Sequence, residues 1–266
     1  MILVHHPVPK ERVSTVSYLN RLSFQLYSAR LMPTLEDQFD LLARVGYRLV
    51  EPWGGLLAEP ERLWGLLETH AMLAPSCHVG IDRLREDAAG TAALLRGLGV
   101  ETAVVPAPPQ GEFENDEAGW RALGAELQGY TAAMADAGLA LAWHNHAWEY
   151  KPTASGAIPL DLIFEAAPDL QWEADIAWIV RGGADPIAEL AKRPGRTPLV
   201  HVKDIAPAGE CADEDGWADV GHGVLDWTSI MAAVDAAGAT TFVVEHDKPS
   251  DAERFARRSF ETISRW

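Results

Sequence analysis

Apolar and polar positions along the chain follow a repeat in which an amphipathic helical pattern runs into a glycine and then into a short apolar segment. The repeat occurs four times, in LLARVGYRLVE, LLRGLGVETAVV, AAMADAGLALAWH and IMAAVDAAGATTFVVEH. Its glycines, Gly46, Gly99, Gly138 and Gly238, stand just after a helix, where a residue with positive φ is favoured. The apolar runs that follow predict strands buried on both faces.

Further segments complete this alternation of helix and strand. Additional strands are predicted around Phe24, Ser76, Glu173 (in DLQWEADIAWIV) and Val202, and helices over Leu35–Arg44, Glu61–Thr69, Ala88–Arg96, Trp120–Ala137, Leu160–Ala166, Pro186–Lys192, Trp227–Ala237 and Ala252–Ser264. Eight strands alternating with eight helices predict an α/β fold, the (β/α)8 TIM barrel. The main alternative is a doubly wound open sheet, but no glycine-rich phosphate fingerprint follows the first strand.

The chain shows no linker and no low-complexity tract, so a single domain over residues 1–266, with an N-terminal extension over 1–21, is the simplest organisation. Two proline- and glycine-rich segments, 105–116 and 206–223, follow predicted strands. In a barrel, such segments are long loops at the catalytic rim.

Composition restricts the partners of the protein. The net charge of −17 and the pI near 4.8 disfavour binding to nucleic acid or to anionic membranes. No segment approaches the roughly 18 apolar residues of a membrane span, and the first residues lack the pattern of a secretory signal. Cys77 and Cys211 lie far apart, as reduced thiols do, so we expect a cytoplasmic protein. The acidic segment Asp213–Asp219 is predicted to be a solvated loop.

Ionisable side chains concentrate at the carboxyl ends of the predicted strands. In chain order they are Glu51, His78, His144, His146, Asp175, His201, Lys203, Glu245 and His246. Burying such groups is costly unless they are paired or bound to a metal. Asp175, His201 and Glu245 end three consecutive predicted strands and form an oxygen and nitrogen donor set that suits Mn²⁺, Zn²⁺, Co²⁺ or Fe²⁺. His144 and His146 share one face of the preceding strand, and either of them can supply the fourth ligand.

The strand ends FQLYSAR, WHNHAWEY, EADIAWIVRGGADP, HVKDI and VVEHD resemble those of the xylose-isomerase-like TIM barrels. This is the sugar phosphate isomerase/epimerase group, which also contains the metal-dependent AP endonucleases (family 2). The resemblance extends from Phe24 to the last helix. It implies one divalent metal ion, Mn²⁺ or Zn²⁺ first, with Co²⁺, Fe²⁺ and Mg²⁺ as alternatives. The family usually holds this ion with Glu, Asp, His and Glu at the ends of strands five to eight, and the matching residues here are His144 (or His146), Asp175, His201 and Glu245.

The histidine at the strand-five place departs from this pattern. Family epimerases use the strand-five and strand-eight glutamates as an acid/base pair, so here Glu245 keeps a catalytic role and His146 becomes the predicted proton carrier. The alternative role for His146 is to orient His144 or a substrate hydroxyl. The trinuclear site of the family's AP endonucleases needs a histidine three residues after the aspartate, where this chain has Trp178.

The remaining candidates surround this predicted centre. Lys203 is predicted to stabilise a substrate oxygen or a developing oxyanion, and its alternative is a salt bridge with Asp204 or Glu173. The predicted substrate-binding residues, each with ordinary packing or ion pairing as the alternative, are Glu51, His78, Glu149, Trp178 and Arg181. Trp53 and Trp148 are further candidates for apolar walls against a sugar ring.

Three functions are consistent with these residues. The first is a metal-dependent isomerase or epimerase of a sugar or cyclitol that works through a metal-stabilised enediolate. The second is a metal-dependent dehydratase or lyase on a keto-sugar or keto-inositol, which the His-Asn-His strand end also resembles. The third is a sugar-binding barrel without catalysis. In each case the predicted partner is a small sugar or cyclitol, with homo-oligomers compatible with all three.

Overall fold

Eight parallel strands wrap into a nearly closed barrel in the computed structural model, which describes residues 18–108 and 115–266. The strands are β1 Leu22–Gln25, β2 Leu49–Glu51, β3 Ser76–His78, β4 Thr102–Val105, β5 Ala140–His144, β6 Gln171–Asp175, β7 Leu199–Val202 and, after the short antiparallel pair β8 Asp204–Ile205 and β9 Trp217–Ala218, the last barrel strand β10 Thr241–Val244. Most of the predicted extension 1–21 and the centre of the loop 105–116 lie outside the described residues.

The barrel closes between β2 and β3. Hydrogen-bonded neighbours run in the order β2-β1-β10-β7-β6-β5-β4-β3. Across the seam, the Val50 N–H donates to the Leu73 carbonyl at 2.9 Å, and the His78 N–H donates to the Pro52 carbonyl at 2.9 Å. The predicted (β/α)8 barrel is confirmed, and the doubly wound open sheet is wrong.

Helices follow the barrel strands and cover the outside of the barrel. They are α1 Leu35–Val45, α2 Pro60–Thr69, α3 Ile81–Gly97, α4 Glu117–Asp136, α5 Pro159–Ala166, α6 Ile176–Arg181, α7 Pro186–Lys192, α8 Trp227–Ala237 and α9 Ala252–Ile263. Within the described ranges, none of these helices combines the length and apolar character that crossing a membrane requires.

The structure corrects the prediction in the segment after Asp175. The apolar run DLQWEADIAWIV was predicted as one strand, but the strand ends at Asp175 and the rest forms α6. Asp175 Oδ1 accepts a hydrogen bond from the Trp178 N–H at 2.8 Å and so caps the new helix. The helices around Ala88–Arg96 and Trp120–Ala137 also begin earlier than predicted, at Ile81 and Glu117.

The four glycines of the sequence repeat have the predicted backbone. Their φ angles are 122° for Gly46, 77° for Gly99, 79° for Gly138 and 85° for Gly238. At Gly46 a Cβ atom would also lie 2.9 Å from the Phe260 ring, so both conformation and packing require glycine there.

The core has an apolar outer zone and a largely polar interior. Large side chains such as Phe24, Trp143 and Trp172 fill the space between strands and helices. Inside the barrel, Val104, Ala142 and Leu199 form a separate apolar cluster. Because side chains two residues apart share a face of a strand, the residues above Ala142 and Leu199 also point inward, and these are histidines, His144 and His201.

The acidic loop between β7 and α8 is packed against the barrel and is not the solvated loop that its composition predicts. Glu214 and Asp219 are buried, and Arg254 of α9 binds both, at 2.7 and 3.1 Å. Asp204 accepts hydrogen bonds from the backbone N–H groups of 205, 221, 223 and 225 and from Trp227 Nε1. This single carboxylate therefore fixes both ends of the loop.

Replacing this carboxylate is expected to destabilise the fold. In Asp204→Asn the amide NH2 faces backbone donors, so we expect the free energy of unfolding to fall by about 2–3 kcal/mol. Urea denaturation measures it, with Asp213→Asn, an exposed position with the same charge change, as the control. An equal, small loss in both variants would show that Asp204 does not hold the loop.

Candidate metal centre

A cavity of about 550 Å³ opens at the carboxyl ends of the barrel strands. Its lining consists of aromatic, small and ionisable residues: Tyr27, Arg30, Trp53, Gly54, His78, Gly80, Pro106, Ala107, His144, His146, Trp148, Asp215, Glu245, Asp247 and Lys248. The cavity has the size of small-molecule sites in proteins and lies where TIM barrels carry theirs.

Four predicted ligands meet at the base of this cavity. Nitrogen and oxygen atoms of His144, Asp175, His201 and Glu245, all buried, lie within 4.8 Å of one another. His201 Nδ1 is 2.9 Å from Glu245 Oε2, and Asp175 Oδ2 is 4.0 Å from both His144 Nε2 and His201 Nδ1. Of the two histidines left open by the sequence, the described structure brings His144 into this group.

The donor set fits a divalent cation. Asp175 Oδ2 is buried without a hydrogen-bond partner among the described residues. Burial raises the pKa of the Asp175 carboxyl to about 7, against the lowering effect of Lys203, and Glu245 raises it further. An ion at this point would supply both the partner that the oxygen lacks and the positive charge that its ionisation needs.

A second layer of charged groups lies beneath these four residues. Glu173 Oε2 is 2.7 Å from His78 Nε2, 3.1 Å from His144 Nδ1 and 3.1 Å from His201 Nε2. Glu51 Oε1 is 2.9 Å from His201 Nε2 and 3.1 Å from His78 Nε2. Glu51 is thus placed below the cavity wall that it was predicted to join.

Glu51 is itself held by uncharged donors. Gln25 Nε2 donates to its Oε1 at 2.8 Å, and the Ser76 hydroxyl donates to its Oε2. Burial opposes ionisation of Glu51, but His78 and His201 outweigh it and hold the pKa of this carboxyl well below its ordinary value.

The two cavity-lining histidines outside the ligand group differ in protonation. Burial lowers the pKa of His78, but Glu51 and Glu173 outweigh it and raise that pKa to about 10. Burial and then Lys203 lower the pKa of His146 to about 3, so its ring is neutral at physiological pH. That ring stacks on Trp148 with centroids 4.1 Å apart, and its Nδ1 is buried without a hydrogen-bond partner in the described chain.

Lys203 is fully buried behind the carboxylates and does not line the cavity. Its Nζ is 2.5 Å from Asp247 Oδ2, 3.2 Å from Glu245 Oε2 and 3.8 Å from Asp175 Oδ2. The predicted salt bridge of Lys203 with Asp204 or Glu173 is wrong. Asp204 accepts hydrogen bonds from the loop before α8, and Glu173 contacts three imidazoles.

The other predicted substrate contacts are distributed unevenly. His78 lines the cavity, as do Trp53 and Trp148. The ring of Trp178 lies beside that of His146, with centroids 5.3 Å apart, but Trp178 does not line the cavity. Arg181 is the last residue of α6, not part of a loop, and its guanidinium lies 3.1 Å from the centroid of the Trp217 ring. Glu149 does not line the cavity, because its carboxyl group accepts hydrogen bonds from Trp143 Nε1 and from the backbone N–H of His146.

Three features of the site were missed by the sequence reading. Tyr27 and Arg30, which follow β1, line the cavity, and Asp247 supplies the closest counter-charge to Lys203. Glu173 was considered only as a partner of Lys203, although its position two residues before Asp175 on one strand places both side chains on one face. That spacing was the available signal.

Glu149 stabilises the loop that carries His146. Its Oε2 accepts the His146 N–H at 2.9 Å, and its Oε1 accepts Trp143 Nε1–H at 3.2 Å. The carboxyl is fully buried, and burial raises its pKa from 4.5 to about 8.

This shift predicts a pH dependence of stability. Between pH 4.5 and about 8 the folded chain keeps a proton on Glu149 that the unfolded chain has released, so stability falls as the pH rises through this window. We expect Glu149→Gln to remove this part of the decline. Urea unfolding from pH 5 to 8 measures it, with exposed Glu68→Gln as the control. Identical slopes for Glu149→Gln and wild type would contradict it.

Solved structures with the same fold cover nearly the whole chain. A sugar phosphate isomerase/epimerase from Parabacteroides distasonis aligns with a TM-score of 0.77 at 18% identity, over 95% of this chain and 96% of that one. The probable 3-DHS dehydratase AsbF of Bacillus anthracis gives 0.72 at 15%, over 92% and 98%. The IolI protein with a bound zinc atom gives 0.72 at 17%, over 92% and 95%. At sequence identities this low, the structural similarity shows that the fold is shared and nothing about activity.

Family membership rests on the sequence match. No curated protein matches the chain significantly in sequence. The family described as "Xylose isomerase-like TIM barrel" matches residues 39–266, which is most of the chain and includes all four residues of the metal-ligand group. The chain therefore belongs to the xylose isomerase-like TIM barrel family.

Proposed function

We propose that this protein is a divalent-metal-dependent enzyme that isomerises or epimerises a sugar or cyclitol. The observation that carries the proposal is the meeting of His144, Asp175, His201 and Glu245 at the base of an aromatic-walled cavity. The names of similar structures, a sugar phosphate isomerase/epimerase and a zinc-containing IolI protein, agree with it.

The four residues would hold the ion, with Zn²⁺ and Mn²⁺ as the best candidates for two imidazoles and two carboxylates. When bound, a divalent ion polarises adjacent carbonyl and hydroxyl oxygens of a substrate and makes the neighbouring C–H more acidic. Lys203 keeps Glu245 anionic, because its ammonium lies 3.2 Å from that carboxylate. Its ammonium is 3.8 Å from Asp175, where it favours ionisation but does not outweigh burial.

His146 is the residue we assign to proton transfer. It lines the cavity, and its lowered pKa leaves its imidazole neutral. Its low pKa makes it a weak base, so it suits a C–H that is already acidified. Trp148 and Trp178 hold the ring from two sides.

The cavity walls suit a sugar or cyclitol ring. Trp53 and Trp148 present apolar surface, and Tyr27 packs edge-on against Trp53 with centroids 5.3 Å apart. Hydroxyl groups of a ring would meet the polar wall at His78 and Asp247.

A metal-dependent dehydratase or lyase on a keto-sugar is the second candidate. One observation favours it, namely that His78 lines the cavity wall with Glu173 and Glu51 2.7 and 3.1 Å from its Nε2. Against the effect of burial, these carboxylates raise its pKa to about 10, so an imidazolium at this position would supply the proton that a departing hydroxyl or aglycone requires. The similar structure of a probable 3-DHS dehydratase agrees with this candidate. Loss of water or of an aglycone from the substrate distinguishes it from isomerisation.

Metal content tests the centre directly. We expect elemental analysis of protein purified without added metal or chelator to give near-stoichiometric Zn or Mn, and Asp175→Ala and Glu245→Ala to lose it. Asp213→Ala, an exposed carboxylate, should keep the wild-type content. A metal-free wild type that cannot be reloaded would contradict the proposed centre.

Solvent-proton exchange tests the reaction. With keto-sugars and keto-inositols screened in D2O, we expect wild type to incorporate deuterium at the carbon next to the carbonyl, and His146→Gln to slow this by about 10²- to 10⁴-fold. His222→Gln, which changes an exposed histidine, is the control. Tight ligand binding without exchange in wild type would instead support a non-catalytic sugar-binding barrel.

A further inference from the structure

One carboxylate oxygen in the barrel interior serves three imidazoles. Glu173 is fully buried in the middle of β6, and its Oε2 lies within 3.1 Å of ring nitrogens of His78, His144 and His201. Its other oxygen, Oε1, is buried without a hydrogen-bond partner among the described residues. Nothing in the proposed reaction places Glu173 in contact with a substrate.

The nitrogens facing Glu173 are the opposite ones from those facing the proposed metal position. His144 turns Nδ1 to Glu173 and Nε2 toward Asp175 Oδ2. His201 turns Nε2 to Glu173 and Nδ1 toward Asp175 and Glu245. Each imidazole therefore spans the two layers of charged groups.

A carboxylate oxygen only accepts hydrogen bonds, so His144 Nδ1, which lies 3.1 Å from Glu173 Oε2, must carry the hydrogen. An imidazole with its hydrogen fixed on one nitrogen offers the lone pair of the other nitrogen to a metal. For His144 the free nitrogen is Nε2, which points at Asp175 Oδ2. His201 differs, because both of its ring nitrogens lie within 3.1 Å of carboxylate oxygens, those of Glu245 for Nδ1 and those of Glu51 and Glu173 for Nε2.

We propose that Glu173 is a positioning residue that fixes the tautomer and the ring orientation of the ligand His144, and thereby sets the affinity of the site for its metal. The proposal rests on the metal centre proposed above. It assigns Glu173 no contact with the substrate.

Glu51 cannot replace Glu173 in this role. It approaches His201 Nε2 at 2.9 Å, but no contact within the described ranges links it to His144. Its two oxygens are also shared with Gln25 and Ser76. Loss of Glu51 leaves both ligands with an acceptor, whereas loss of Glu173 leaves His144 Nδ1 with none. The pair therefore offers a matched comparison between two neighbouring buried carboxylates.

Metal affinity is the first readout. Competition with a chromophoric zinc chelator should show Glu173→Leu weakened by about 10- to 100-fold, the range expected on loss of an outer partner of a ligand histidine. Glu173→Gln, which keeps one acceptor oxygen, should have an affinity between those of Glu173→Leu and wild type. Glu51→Gln should weaken binding less than Glu173→Gln does. Circular dichroism establishes that each variant is folded.

The tautomer of His144 is the second readout, and it is measured first on wild type. Two-bond ¹⁵N–¹H correlation spectra of wild type should show His144 with hydrogen on Nδ1 and none on Nε2, and this pattern should be lost in Glu173→Leu, which has no acceptor. Hydrogen on Nε2 of His144 in wild type would overturn the proposal, as would a folded Glu173→Leu with an affinity within a factor of about two or three of wild type.

These outcomes separate the proposal from the assignment of function. A wild type that binds zinc tightly but exchanges no substrate proton would refute the proposed reaction and leave the role of Glu173 intact. Normal deuterium exchange by wild type, together with unchanged metal affinity in Glu173→Leu, would refute the role of Glu173 and leave the proposed reaction intact.

Discussion

The burial of carboxylates against imidazoles inside the barrel is the constraint on which the site depends. Glu51, Glu173 and Asp175 are fully buried and Glu245 nearly so at the base of the cavity, so each needs a proton, a cation or several donors. The histidines and Lys203 meet most of this need. Asp175 Oδ2, a buried oxygen of the ligand group without a hydrogen-bond partner among the described residues, lies where the proposed metal would bind.

Buried carboxylates that accept hydrogen bonds also hold the loops around the cavity. Asp204 and Arg254 fix the segment after β7, and Glu149 fixes the segment after β5 by accepting from Trp143 and from the backbone of His146. Each contact ties a loop to a strand or to a covering helix. The cavity wall therefore has a defined shape, which orientation of the proposed small polyhydroxylated substrate would require.

A histidine at the strand-five place changes what the neighbouring residues must do. A glutamate ligand presents equivalent oxygens, whereas an imidazole binds a metal only through the nitrogen that lacks hydrogen. As the proposed metal ligand, His144 would need an acceptor on its far side, and Glu173 stands there at 3.1 Å. Neutral His146 lies in the adjacent wall, free of such a partner at its Nδ1 in the described chain, so two histidines from one strand end have different environments.

The sequence alone determined the barrel and three residues of the ligand group, because alternating helices and strands bring all strand ends to one rim and Asp175, His201 and Glu245 end consecutive barrel strands. It left His144 and His146 as alternatives for the fourth. It could not determine which charged groups meet across the barrel. Lys203 pairs with Asp247 rather than Asp204, Glu173 is surrounded by imidazoles, and burial leaves His146 neutral. Those outcomes depend on distances between residues far apart in sequence and on exclusion of water, which only the tertiary structure decides.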